Sequence, residues 1–532
     1  MKLKLALLLY MLLPLQLLAQ GVSAQYSVAE TIPGDNVLRY YRLAIPVTKT
    51  AFERNFDGDY NAVLGFWDEC EEYVNRIFVP VGFCFDVVVD ENLVMRERNL
   101  IDDSFYNAPS FGTELLNDVI GSSAYDIAMW VTYRPVDSEN TGLSVQYGAY
   151  SRSTKGSGYA MPDSWVVAHE IGHLFGADHT QSGEGSLMDN LGDYLSLPSI
   201  TMIREACVAR NSAYYSDENR TQLVGSNAGG NYVYGVKVVN SAPCFDANAM
   251  KQLYRIPQGS CLAVELCATD AEGDALRYMS IGDDIYSFAS LPPQESRVID
   301  YRPRYSADIF YPEYFYTVTG TDVPMLYPGK YGITFLVYDA PVDHSFEAMK
   351  AKPFYCNYAV WNAQIEVVGG TGFTASLSPA REAYTACERV TVEWGVNTAY
   401  FGADSRVRIT MSSNYGRTFD YQLEASVSAR DGRCVVELPN VNVGNVDVDF
   451  ITAVCSMPGG VVRVEEVGGV AYTLTALSPE LGASFIVTGA TGICEVKGED
   501  VEVKTIYDLQ GRKVDTPSDG IYIVGGKRVV VR

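Results

Sequence analysis

Histidine is nearly missing from this chain, with four residues in 532. Basic residues are also the minority: 40 Lys and Arg stand against 65 Asp and Glu, a formal charge of −25. No Lys/Arg stripe interrupts that acidity, which argues against a nucleic-acid partner. The acidity suits a soluble extracellular protein but says little about substrate. Beyond the N-terminus no apolar run approaches the ~18 residues of a membrane-spanning helix, so the mature chain is not expected to be an integral membrane protein. Of the eleven cysteines none shows CxxC spacing, so a thiolate-bound metal is not expected. The odd count leaves at least one unpaired within the chain, and pairing cannot be assigned from spacing. The earliest, Cys70, lies too far along to be a thiolate cap in a propeptide.

The scarce histidine is concentrated. Three of the four residues fall in one stretch, His169-Glu170-Ile171-Gly172-His173-Leu174-Phe175-Gly176-Ala177-Asp178-His179. An α-helix turns about 100° per residue, so His169 and His173 stand about 40° apart on one face. Both can reach one metal ion, with Glu170 at a neighbouring angle. A continuous helix would carry His179 about 15 Å along the axis from His169 and off the face. The chain must therefore stop and turn, and Gly176 is the residue that tolerates a positive φ at a helix C-terminus. With Asp163 or Ser164 as N-cap, the spacing predicts a helix over about 164–175. Three neutral histidines leave a fourth tetrahedral position open to water, the arrangement of a catalytic zinc rather than a structural staple.

The HExxHxxGxxH pattern resembles the zinc signature of the metzincin peptidases, and within them the reprolysin (adamalysin)-like family. The resemblance implies Zn²⁺ held by His169, His173 and His179, with Glu170 as general base toward a zinc-activated water. It also implies a methionine turn beneath the metal. Ser186-Leu187-Met188-Asp189 falls where that turn is expected, Met188 following His179 by nine residues. Some metzincins carry a tyrosine two residues after this methionine; here the position is Asn190, so no such role is expected. Asp178 is a candidate to orient a histidine, with a surface carboxylate as the competing reading.

The segments before the motif read as an α/β catalytic domain, a twisted mixed sheet plus an active-site helix. Strands are expected at 37–45, 83–89, 125–133 and 142–150, and a helix at 60–78 with Val63, Phe66, Trp67 and Tyr73 on its apolar side. In metzincins the strand corresponding to 142–150 edges the cleft, where an extended peptide adds as a further strand. Residues 195–210 are expected to close the domain with a helix.

The whole chain reads as multidomain. Residues 1–24, with Lys2 and Lys4, an apolar stretch from Leu5 to Leu18 and Val22-Ser23-Ala24, form a signal peptide. A short N-terminal segment, 25–36, precedes the catalytic domain at 37–212, and Asp35 is a candidate metal cap for a latent form. A linker at 213–235 leads to two Ig-like or cadherin-like β-sandwiches, 236–368 and 370–478, and a small β domain at 485–532. Asp270, Glu272 and Asp274 are candidate calcium ligands, with an acidic turn as the competing reading. The fourth histidine, His344, is expected in a surface loop. Tyr507-Asp508-Leu509-Gln510-Gly511-Arg512-Lys513-Val514 and Gly520-Ile521-Tyr522-Ile523-Val524 resemble the sorting domain of type IX secretion cargo. That resemblance implies outer-membrane secretion machinery as a partner and an extracellular or cell-surface location. The expected function is a secreted zinc metalloendopeptidase acting on protein or peptide substrates. The alternative is a surface adhesin with a vestigial peptidase domain.

Overall fold

The strand β1, Val37–Ala44, is buried along seven of its eight residues, so the sheet built on it is covered on both faces. A computed structural model describes residues 32, 34–96, 111–133, 141–180, 186–189, 192–209, 214–215, 233–282, 291–302, 324–450, 453–475 and 484–490. It also gives strand backbone at 493–495, 506–507, 513–514, 520–524 and 527–531. The expected signal peptide, 1–24, and most of the expected linker lie outside the described residues.

Helix α1, Lys49–Asn55, follows β1, with Thr48 capping it. Helix α2, Tyr60–Phe78, starts at its N-cap Asp59 and buries Val63, Phe66, Trp67, Cys70, Val74, Ile77 and Phe78 at three- and four-residue spacing. Strand β2, Phe83–Val87, then runs parallel to β1, with Arg39 opposite Phe83 and Leu43 opposite Val87. Buried Asn75 of α2 acts as a further rung for β2, its amide donating to Phe85 O at 2.9 Å and its Oδ1 accepting from Phe85 N at 2.7 Å. Helix α3, Phe111–Ile120, leads to β3, Ile127–Val131, which is parallel to β1 at Leu43 and Ala44. Strands β4, Gly142–Ser144, and β5, Gly158–Ala160, extend the sheet outward: β5 pairs parallel with β3 and β4 pairs antiparallel with β5. β4 is therefore the edge. Two further helices follow, α4 at Ser164–Leu174 and α5 at Leu197–Ala209.

After β6, Tyr214–Tyr215, the strand β7, Val233–Lys237, returns antiparallel to the first half of β1, placing Val37 opposite Lys237. A strand residue pairs on two sides only, so β7 and β3 divide the edge of β1 that β2 leaves open. The expected linker boundary at 235 thus falls inside a strand of the sheet built on β1. A short Tyr- and Val-containing run beside an Asn/Gly stretch carries no local mark of which sheet it joins.

The β-rich remainder also departs from two separate sandwiches. One five-stranded sheet follows the order Leu291–Gln294, Ala275–Gly282, Gly329–Ala340, Tyr358–Val368, Leu253–Pro257. A six-stranded sheet combines Val298–Tyr301 and Cys261–Glu265 with Ala471–Leu474, Val461–Glu466, Arg406–Ser412 and Tyr421–Ser428. Its join is the antiparallel pair Cys261 opposite Tyr472 and Leu262 opposite Ala471, so strands from both expected sandwiches share a sheet. Ile486–Thr488, expected in the terminal domain, pairs instead with Ala383–Thr385. The terminal five-stranded sheet uses Ile493–Glu495 with Ile506–Tyr507, Lys513–Val514, Gly520–Val524 and Lys527–Val531. Among the described residues no helix is long and apolar enough to cross a membrane. Cys70, Cys84, Cys261 and Cys356 are buried free thiols.

The first β region docks on the N-terminal domain built around β1 and shares its core. Met279, Leu336, Tyr338, Met349, Phe354 and Tyr358 join the same apolar cluster as α2 and β2. Arg204 of α5 clamps the joint. Its guanidinium donates to Val81 O at 3.1 Å, Pro80 O at 3.2 Å and Cys356 O at 2.8 Å. It also lies over the rings of Tyr355 and Tyr358, at 4.8 and 4.9 Å. The Tyr358 hydroxyl donates to Pro80 O at 2.7 Å and the Tyr40 hydroxyl to Met349 O at 2.6 Å.

Arg204→Ala would remove that buried cation and its charge-assisted bonds, so urea denaturation should show a loss of about 2–4 kcal/mol. Arg204→Lys should recover only part of it, because an ammonium cannot reproduce the planar fork.

Candidate metal centre

Helix α4 carries the site. Asp163 caps it, its Oδ1 accepting from Trp165 N at 2.8 Å and Val166 N at 3.3 Å. The helix ends at Leu174 in a Schellman motif: Ala177 N donates to Gly172 O and Gly176 N to His173 O, both at 2.9 Å. Gly176 has φ +101°, and a Cβ there would meet the Tyr147 ring at 2.3 Å, so both backbone and space demand glycine. Phe175, fully buried, anchors the stop. It stacks on Phe83 at 4.5 Å and meets Tyr41 edge-on at 5.0 Å.

The turn brings His179 back to the pair on the helix. His179 Nε2 lies 3.1 Å from His169 Nε2 and 3.2 Å from His173 Nε2. The other ring nitrogens are occupied by carbonyls: His169 Nδ1 faces Leu187 O at 2.8 Å and His173 Nδ1 faces Ala177 O at 2.7 Å. A carbonyl accepts only, so both Nδ1 atoms carry the proton and both Nε2 atoms present lone pairs. A proton on His179 Nε2 can satisfy one of these contacts and leaves the other as opposed lone pairs. A cation between the three nitrogens satisfies all of them. Tetrahedral zinc at about 2.0–2.1 Å separates its ligands by roughly 3.3 Å, close to what is observed. The donor set therefore fits zinc. Burial pushes His169 down to about 4 and lowers His173, which keeps both rings neutral and ligand-ready. Among the described residues this is the one His/Cys/Asp/Glu cluster positioned to hold a metal.

Around these ligands three further groups define the site. Glu170 is buried beneath the edge strand β4; burial pushes its carboxyl up to about 8, with the Ser144 hydroxyl acting in the opposite direction. Its Oε2 is buried and makes no hydrogen bond. Met188 sits in a buried turn, Leu187–Asp189, and a Cβ at Gly172 would stand 2.6 Å from its sulfur. The thioether therefore packs against the helix between the two ligand positions. The same turn supplies the Leu187 carbonyl that orients His169. Trp165, not singled out from sequence, stacks on His169 with centroids 5.4 Å apart, its indole N–H donating to Gly192 O at 2.8 Å. The i,i+4 spacing of Trp165 and His169 was the available signal.

Other sequence candidates fall elsewhere. Asp178 is exposed and accepts from the Gln146 amide rather than from a ligand histidine. Asp35 is held by Arg39 at 2.6 Å and by Val37 N at 3.1 Å, at the start of β1, and does not cap the histidines. Asp270, Glu272 and Asp274 do not converge: Asp270 Oδ1 accepts from Glu272 N and Asp274 N, and Glu272 accepts from the Ser241 hydroxyl. Asp270 Oδ1 thus closes an Asx-type turn while its Oδ2 is buried without a partner, and the three carboxylates form no cluster that supports calcium. His344 lies partly buried in the segment before the short helix Phe346–Ala351. Asn190 lies outside the described residues.

Comparison with known proteins bears on the same region. No curated protein matches the chain. Solved structures similar to parts of it include human Protocadherin-24 EC1-2, at 13% identity over 47% of this chain and 99% of that chain, with a TM-score of 0.16. The fibronectin(III)-like modules of Clostridium thermocellum CbhA match at 11% identity over 44% of this chain and 92% of that one, with a TM-score of 0.14. Overlaps this small decide nothing about the architecture. Residues 102–252 match the family model described as Metallo-peptidase family M12B Reprolysin-like, a span that holds all three histidines, Glu170 and Met188. The chain thus carries a reprolysin-like metallopeptidase domain.

Proposed function

We propose that this protein is a secreted, zinc-dependent metalloendopeptidase that hydrolyses internal peptide bonds. The observation that carries the reading is the convergence of three imidazole Nε2 atoms beside a buried glutamate, inside the segment that matches a metallopeptidase family. Zinc bound by His169, His173 and His179 supplies Lewis acidity toward water and the scissile carbonyl. With the positive charge of the bound metal offsetting the burial that favours its neutral form, Glu170 would take the water proton on its carboxylate and pass it to the leaving amine nitrogen. Met188 holds the ligand helix from below, and Trp165 fixes the plane of the His169 ring. An extended substrate chain adds beside β4, the outermost strand of the sheet.

Two features at the chain ends support export. The N-terminal segment 1–24 has the charged, apolar and small-residue regions of a signal peptide. The pattern around Tyr507–Val514 and Gly520–Val524 is similar to a type IX sorting domain, and the corresponding segments pair in one small sheet. In this reading the secretion machinery is the partner of that sheet.

Glu170→Gln should lower casein or gelatin hydrolysis by about 10²–10⁴-fold, because it removes the proton carrier. Its zinc content, read by atomic absorption, should remain that of the wild type. His169→Ala or His173→Ala should lose both metal and activity. A chelator should abolish wild-type hydrolysis and added Zn²⁺ restore it. Hydrolysis indifferent to the chelator and to Glu170→Gln would sink the mechanism, and none under any condition would favour the adhesin. Removing 491–532 should leave the protein inside the outer membrane of a type IX-secreting host, read by cell fractionation.

A further inference from the structure

We infer that Gly142 is a positioning residue for Glu170, an inference that rests on Glu170 being the proton carrier proposed above. Strand side chains alternate, so Gly142 and Ser144 share a face of β4 while Leu143 takes the other and is 41% exposed. The Gly142 face meets Glu170. A Cβ at position 142 would stand 2.5 Å from Glu170 Oε1, 2.7 Å from its Cγ and 2.8 Å from its Cδ. Contacts that short are not tolerated, and all three atoms belong to the one side chain.

Backbone conformation does not explain this glycine. Gly142 is not among the residues with positive φ, and it pairs regularly with Ala160 of β5. Alanine would suit such a strand position better than glycine, by about 0.5–1 kcal/mol. What glycine provides is the missing Cβ. The carboxylate of Glu170 fills that place, standing against the backbone of the edge strand with Oε2 unbonded. A methyl at 142 would have to push the carboxylate aside, and Glu170 is only 4% exposed, with little room to yield. The edge strand thus sets where the proton carrier stands relative to the three histidines. Neither ligand geometry nor helix geometry is involved in that contact.

The test is a set of variants of the full-length protein assayed on a peptide substrate. Gly142→Ala should retain its zinc and its KM within about twofold while kcat falls by about 10²-fold, the effect of a misplaced catalytic group. In the Glu170→Gln background the same substitution should add no further loss, since the group it displaces no longer acts. With Glu170→Asp, one methylene shorter, it should also add little. Wild-type kcat in Gly142→Ala, or an equal further loss in the Glu170→Gln background, would overturn the inference. A rise in KM alone would overturn it too, by showing that glycine serves substrate approach. Should Gly142→Ala fail to fold, the pair with Glu170→Asp decides: recovery of the fold supports the contact and failure of both overturns it. If Glu170→Gln itself keeps full activity, the functional reading falls first and separately.

Discussion

Everything at the metal centre depends on stopping one helix in the right place. A helix can aim two imidazoles at a point from successive turns, but not a third from ten residues on. The stop after Leu174 solves this, and it is secured at three levels. Gly176 accepts the left-handed backbone, the Schellman bonds satisfy Gly172 O and His173 O, and Phe175 locks the end into the aromatic core. Burying Phe175 contributes about 1.5–3 kcal/mol by area, and that energy is applied at the residue beside the turn. The same turn places Ala177 O against His173 Nδ1, so helix termination also selects the tautomer of a ligand.

Backbone remote in sequence also orients the site. His169 is aimed by the Leu187 carbonyl and covered by Trp165, whose own N–H is held by Gly192 O. Leu187, Met188 and Gly192 all come from the chain after the third ligand. The described residues that follow His179 therefore return beneath the helix and fix it, and among them none joins the three histidines as a ligand. The joint around Arg204 acts on a larger scale. It ties Pro80 and Val81, in the turn just before β2, to Cys356 of the β region, so the N-terminal sheet and the first β region share one core.

What could be read in the sequence divides along the range of the interactions. The ligand spacing, the Asp163 cap, the Gly176 stop and the apolar face of α2 are set within a few residues, and each was legible from periodicity or turn chemistry. Trp165 was within reach by the same logic, four residues before His169. The Leu187 carbonyl was not, because any residue has a carbonyl and only the fold chooses which one faces a ring. Sheet membership was harder still. β7 returns to β1 across nearly two hundred residues, and Cys261 pairs with Tyr472 over a similar gap. Alternation marks a strand but not its neighbour, so 236–368 and 370–478 read as separate units while sharing a sheet.

Glu170 bears on whether the centre is chemical or only structural. A carboxyl buried to 4% exposure with an unbonded oxygen is an unfavourable element of a helix, and burial moves its ionisation toward the neutral form. An alanine there would keep the helix and the histidines without that penalty. Nothing in the packing of α4 requires an acid, and the edge strand leaves out a side chain where the carboxylate stands. A metal that merely stapled the fold would need neither feature. A local conflict of this kind beside three converging lone pairs is the pattern expected where chemistry, rather than stability, sets the residue.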